Sequence, residues 1–191
     1  ISYVNCYPVY GAIDRAVLPL DGHIVSGIPT QLNRMMADGA LDVSVVSAVE
    51  YARDADRYLL LPDLAISCDG PVRSVMLFSN LPAETLTGKT VVVSKSSMTS
   101  VALLELLFEN VWHAKPAFVP GDAEMSDIAS FGQYDARLVI GDAALVLAAS
   151  REGGEGPYRY AYDLGATWKA WTGLPFVFAV WVAQRKTRVT D

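Results

Sequence analysis

Apolar residues follow two rhythms along this chain. Short apolar runs at 42–46, 58–61, 64–67, 72–79, 91–93, 117–119, 137–140, 158–163 and 176–182 read as strands. Between them lie segments of helical spacing. In residues 28–38 the apolar positions are Ile28, Leu32, Met35 and Met36, with Pro29 near the start and Gly39 just past the end. Further helices are expected from Ser47 to Tyr51, after the polar turn that ends near Ser100, near 125–131, from Gly141-Asp142 to Ala149, and over 164–171. Residues 1–4 read as a buried strand and 23–26 as a short one. Residues 5–8 read as a loop, because Pro8 biases Tyr7 away from helix.

Strands alternating with helices predict an α/β protein with mainly parallel sheets. Two segments, DVSVVSAVEYA from Asp42 and ARLVIGDAALVLA from Ala136, each run strand, small polar turn, helix. That echo fits two lobes built alike. Ligands of open α/β sheets sit at the carboxyl ends of strands, where Ser47, Thr99, Ser100, Gly141 and Asp142 all fall.

The stretch VVVSKSSMTSVALLELLF, residues 91–108, organises the rest: a β-branched strand, a hydroxyl-rich turn and a leucine-rich helix. A helix start offers unpaired N–H groups and partial positive charge, which suits an anion. Ser97, Thr99 and Ser100 add hydroxyl donors, so the turn reads as a carboxylate seat. The competing reading is simple capping, for which Ser and Thr are ordinary residues.

Composition narrows the partners. The 191 residues carry a net charge of −6, and their 15 Lys and Arg are scattered without a basic stripe, which argues against nucleic acid. An anionic ligand would then be held locally, by helix ends and hydroxyls. The longest apolar run, residues 176–183, falls far short of the ~20 a spanning helix needs, so no membrane insertion is expected. No signal peptide is read at the start. Two cysteines, Cys6 and Cys68, make no disulfide framework, and a reducing, cytoplasmic compartment is the simpler reading.

Several motifs fail on inspection. Thr87-Gly88-Lys89-Thr90 looks like the end of a phosphate loop, but Ala83 stands where the loop needs Gly and a strand follows instead of a helix. His23 and His113 have no partner at metal-ligand spacing, so no metal is expected. No GxSxG elbow is present. Glu50 and Asp142 stand at helix starts, where carboxylates commonly complement the dipole.

Six strings in order carry a resemblance: ISYVNCYPVYG at 1–11, DVSVVSAVEY at 42–51, GPVRSVMLFS at 70–79, SKSSMTS at 94–100, IGDAAL at 140–145 and DLGATWKAWTGLPFVFAVW at 163–181. Together they resemble the chorismate dehydratases of the futalosine route to menaquinone. The last string is the most specific, since no local physical rule demands its residues together. Asn5 after SYV separates this branch from the sister dihydroxynaphthoate synthases.

The resemblance implies a two-lobed α/β fold like type II periplasmic binding proteins, with a ligand cleft between lobes. Lobe one would comprise 1–80 with 175–191 and lobe two 81–174, with crossings along 72–79 and 176–182. Relatives continue past the VWVA string with helices completing lobe one. The chain is therefore expected to be truncated there; were it complete, some apolar surface of lobe one would lack its cover and association would be favoured. The oligomeric state is left open.

The implied reaction is loss of water from chorismate, a small dianion, giving 3-[(1-carboxyvinyl)oxy]benzoate. Aromatisation drives it, so no cofactor is expected. Asn5 and Ser74 match family active-site positions and would grip the enolpyruvyl carboxylate. Both are poor bases, so they would aim that carboxylate at the ring proton. Thr99 and Ser100, with Ser97, would bind the ring carboxylate, while Ser47, Gly141 and Asp142 line the cleft. Two rivals share this outline: the sister synthase, and a solute-binding protein without catalysis.

Overall fold

The computed structural model describes residues 7–95, 97–121, 134–152 and 157–186. The chain forms two compact units, Ile1–Ile66 with Val177–Asp191, and Ser67–Phe176.

In the first unit, helix α1 (Tyr7–Asp14) and helix α2 (Pro29–Ala37) precede strand β1 (Val43–Ser47) and the short helix α3 (Ala48–Arg53). Strand β2 (Tyr58–Cys68) begins here, and strand β8 (Phe176–Gln184) returns to it, giving the sheet order β1-β8-β2. Helix α2 turns Leu32 and Met36 inward. Met36 meets Val46, Tyr58 and Val182 in a buried cluster. Burial of these four side chains helps to close this unit.

In the second unit the order of strands is β5-β4-β6-β3-β7: β3 (Val75–Ser79), β4 (Thr90–Ser94), β5 (Ala117–Gly121), β6 (Ala136–Ile140) and β7 (Tyr160–Asp163). Helices α4 (Met98–Asn110), α5 (Asp142–Glu152) and α6 (Leu164–Thr172) complete it. Every residue of β3 is buried, as befits a strand covered on both faces. Met76 and Phe78 face α5, packing with Val139, Ala143, Ala144, Leu147 and Tyr158. Their strand neighbour Leu77 points the other way and pairs with Tyr162, whose ring meets Trp112 just beyond α4.

Four expectations are corrected. The sheets are mixed: β4 pairs parallel with β5 and β6, but β3 pairs antiparallel with both β6 and β7, and β1 antiparallel with β8. Parallel pairing needs a long crossover, here supplied by helices such as α4 between β4 and β5, and β3 enters between two strands without one. Tyr7 and Pro8 open α1 instead of forming a loop, since proline is tolerated in a first helical turn, where its missing N–H has no intrahelical partner. Residues 23–26 form no strand, and Ile24 and Val25 are exposed. The runs at 58–61 and 64–67 are one strand, with Asp63 at φ 59 between them. The strand expected at 1–4 and the helix near 125–131 lie outside the described residues.

Candidate functional site

The topology brings the ends of four elements to one edge of the second sheet. Strands β4, β6 and β7 run the same way and terminate there, while antiparallel β3 begins there. Each of β4, β6 and β7 leads into a helix, so three helix starts share that edge with the entrance to β3.

The α4 start is built by hydroxyls. Ser97 caps it: its Oγ accepts the Ser100 N–H at 3.3 Å and donates to Ser100 Oγ at 2.7 Å. Capping thus accounts for part of the hydroxyl cluster. Thr99 and Ser100 are nearly fully buried, and no acidic residue lies in the first turn.

Beside it, the Gly141 N–H donates to the Ser74 carbonyl at 2.8 Å, and Val75 pairs with Ile140. Ser74 is thereby held against the α5 start. Gly141 adopts φ +68, a left-handed conformation that an L side chain resists. Its carbonyl accepts the Ala144 N–H at 3.1 Å and opens the helix. Asp142 follows, exposed, in the first turn.

Ser74 was expected within a strand. It lies in a bend just before β3. Its own N–H reaches back to the Val72 carbonyl at 2.7 Å, and its Oγ lies 3.4 Å from the same atom. Arg73, between them, has φ 62. A bond from residue i to i+2 around a centre of positive φ is the classical γ-turn, which is rare and strained.

The third helix start supplies a residue the sequence reading did not single out. Asp163 caps α6 by accepting the Ala166 N–H on Oδ1 at 2.9 Å. The same carboxylate accepts the Val72 N–H at 3.0 Å and, on Oδ2, the Arg73 N–H at 2.6 Å. Lys169 on α6 ties down the same segment through Asp69 at 2.6 Å. Burial, then the nearby Asp163 carboxylate, push the Cys68 thiol above its usual pKa. The signal in the sequence was the DLG triplet opening the most specific string. Periodicity reads from this stretch only a helix over 164–171.

Among the remaining expected residues, Ser47 belongs to the first unit. It caps α3 by accepting the Glu50 N–H at 3.2 Å, and buried Asn33 grips it twice, donating to Oγ and accepting from its N–H, each at 3.1 Å. Asn5 lies outside the described residues. Among the described residues no group of three or more His, Cys, Asp or Glu could hold a metal. No helix there is long and apolar enough to cross a membrane. A surface pocket of about 450 Å³ is lined by Phe108, His113, Lys115 and Phe118 among others. It sits at the far end of α4, roughly 15 Å along the helix from Ser97, and contains none of the expected residues.

The family described as menaquinone biosynthesis matches residues 1–190. The chain belongs to that family. Its curated relatives include the chorismate dehydratase of Thermus thermophilus, 32% identical over 195 residues that cover 96% of this chain and 68% of that protein. The chorismate dehydratase of Campylobacter jejuni is 29% identical over 184 residues, covering 94% and 63%. The chain thus spans about two thirds of the length of these family relatives. A crystal structure of a protein from Archaeoglobus fulgidus aligns with a TM-score of 0.68 at 20% identity, covering 97% of this chain and 66% of that one. The periplasmic aliphatic sulphonate binding protein of Escherichia coli aligns at 0.57 and 16%, covering 95% and 57%. At such identities the likeness shows the fold alone. This family member has the two-lobed α/β fold of the type II periplasmic binding proteins.

Proposed function

We propose that this chain is the dehydratase its relatives are named for, a hydro-lyase that removes water from chorismate to give 3-[(1-carboxyvinyl)oxy]benzoate. The observation that carries the reading is 32% identity to a chorismate dehydratase across 96% of the chain. A cytoplasmic location goes with that biosynthetic role.

The edge described above fits the substrate's charge. Of its three helix starts, α5 carries Asp142 and α6 carries Asp163, so each dipole already has a carboxylate of its own. Helix α4 has none. It is the start left for a substrate carboxylate, and we assign the ring carboxylate to Thr99 and Ser100. Ser97 donates to Ser100, which orients the Ser100 hydroxyl to pass its own proton to a ligand.

Ser74, with Asn5, is assigned to the enolpyruvyl carboxylate. A serine and an asparagine donate hydrogen bonds but are poor bases at neutral pH. They are therefore suited to aiming the substrate's own carboxylate at the ring proton. That proton leaves the carbon bearing the ether and passes to the carboxylate. Its C–H electron pair becomes a ring double bond, the neighbouring C–O bond breaks, and hydroxide departs to be protonated as water. Gly141 and Asp142 stand beside Ser74, with Asp142 assigned to the departing hydroxyl. Ser47 is proposed as a further substrate contact.

Incubation with chorismate, followed by proton NMR, tests the reaction. The expected result is growth of aromatic signals from the benzoate. Ser74→Ala and Asn5→Ala should each lower kcat by about a hundredfold, since positioning errors of an ångström can cost that much. Full turnover in both variants removes them from the mechanism. Chorismate recovered unchanged by the parent chain, even where it binds, favours a solute-binding protein. Turnover of a cyclic futalosine-derived substrate instead favours the sister synthase.

A further inference from the structure

We propose that Asp163 is a positioning residue for the reaction, acting through Ser74. The inference rests on the dehydratase reading above. One carboxylate receives three backbone N–H groups from two segments about 90 residues apart: Ala166 in its own helix, and Val72 and Arg73 just before Ser74. Capping α6 needs only the first. The other two fix the tight turn in which Arg73 holds φ 62 and Ser74 bonds back to Val72.

A turn of that kind does not hold itself. An L residue at positive φ is unfavourable, so the conformation persists only where its surroundings impose it. Asp163 imposes it from one side, through charge-assisted bonds to both amides. Gly141 closes the other side by donating to the Ser74 carbonyl. Ser74 is therefore gripped before and after its side chain, and its hydroxyl has a fixed origin at the sheet edge. Gly165 belongs to the same device. It lies so close to Gly70 and Cys68 that no Cβ fits, which lets the α6 start approach the turn.

The test separates the clamp from the cap. Asp163→Asn keeps the size but replaces one acceptor oxygen with an NH2 group that opposes a backbone N–H. Asp163→Ser keeps a good helix cap and removes the reach to Val72 and Arg73. Both should fold, with KM within about threefold and kcat lowered about ten- to a hundredfold. Arg73→Gly removes the cost of the left-handed turn. Alone it should leave kcat within about twofold, and combined with either Asp163 variant it should restore kcat several-fold. Loss of a helix cap would not respond to glycine at 73. Wild-type kcat in the Asp163 variants, a kcat loss that Arg73→Gly does not relieve, or failure of both variants to fold overturns the inference. A parent chain that leaves chorismate untouched overturns the dehydratase reading itself, and that control is read first.

Discussion

Gly165→Ala measures how hard α6 is pressed against the segment before Ser74. The ideal Cβ would stand 2.5 Å from the Gly70 carbonyl oxygen, 2.7 Å from Cys68 Sγ and 3.2 Å from Val72 Cβ. The first contact is with backbone, and Asp163 ties that stretch to the same helix start, so the neighbours cannot simply rotate away. Forcing one carbon into a packed site costs about 1–3 kcal/mol. Alanine recovers up to about 1 kcal/mol of helix propensity over glycine. With that recovery in full, the balance is a loss of up to about 2 kcal/mol, or a fall in Tm of up to about 8 °C for a chain of this length. Gly141→Ala is the matched control. Nothing lies within 4 Å of its added carbon, so only the φ of +68 penalises it, at about 1–2 kcal/mol. Thermal unfolding followed by circular dichroism checks both. A Gly165→Ala protein melting at or above the parent temperature would refute the close approach and weaken the clamp that depends on it.

Two further outcomes are expected. Asn33→Ala removes a buried side chain that gives half-buried Ser47 a donor and an acceptor at once; denaturant titration should show a loss of about 1–2 kcal/mol. Cys68 should alkylate slowly at pH 8, because burial and the Asp163 charge raise its pKa and leave little thiolate. Asp163→Asn removes one of those two causes, lowers the thiol pKa and should speed the reaction, as peptide mapping after iodoacetamide would show. An unchanged rate at Cys68 would mean that the carboxylate does not act on the thiol.

The strands and helices of the second unit were largely legible because their signals are local. The three valines 91–93 at the heart of β4 are β-branched and apolar, and Leu103, Leu104, Leu107 and Phe108 recur at helical spacing. Sheet direction was not legible. Nothing within Val75–Ser79 says that it will enter between β6 and β7 and run against both. Alternation of strands with helices suggested parallel order, and it holds only where a helix makes the crossover, as α4 does between β4 and β5. Tyr7-Pro8 failed for a different reason: the residue before proline is biased, but a first helical turn can absorb that bias.

The site divided along the same line. Ser97 was visible as a hydroxyl before a leucine-rich helix, and it caps that helix. The neighbours of Ser74 were not visible, since they come from Gly141 and Asp163, far along the chain. The DLG triplet shows why. Read locally, Asp163 is a cap and Gly165 a helical residue with poor propensity, so the glycine looks like a defect. Read in three dimensions, the glycine is the condition for the cap to do a second task. Only a residue without a side chain lets the α6 start come close enough for one carboxylate to reach Val72 and Arg73 as well as Ala166. A violation of helix propensity at that position therefore points to the contact it permits. The string that no local rule explained is the one whose residues are committed to a turn some 90 positions away.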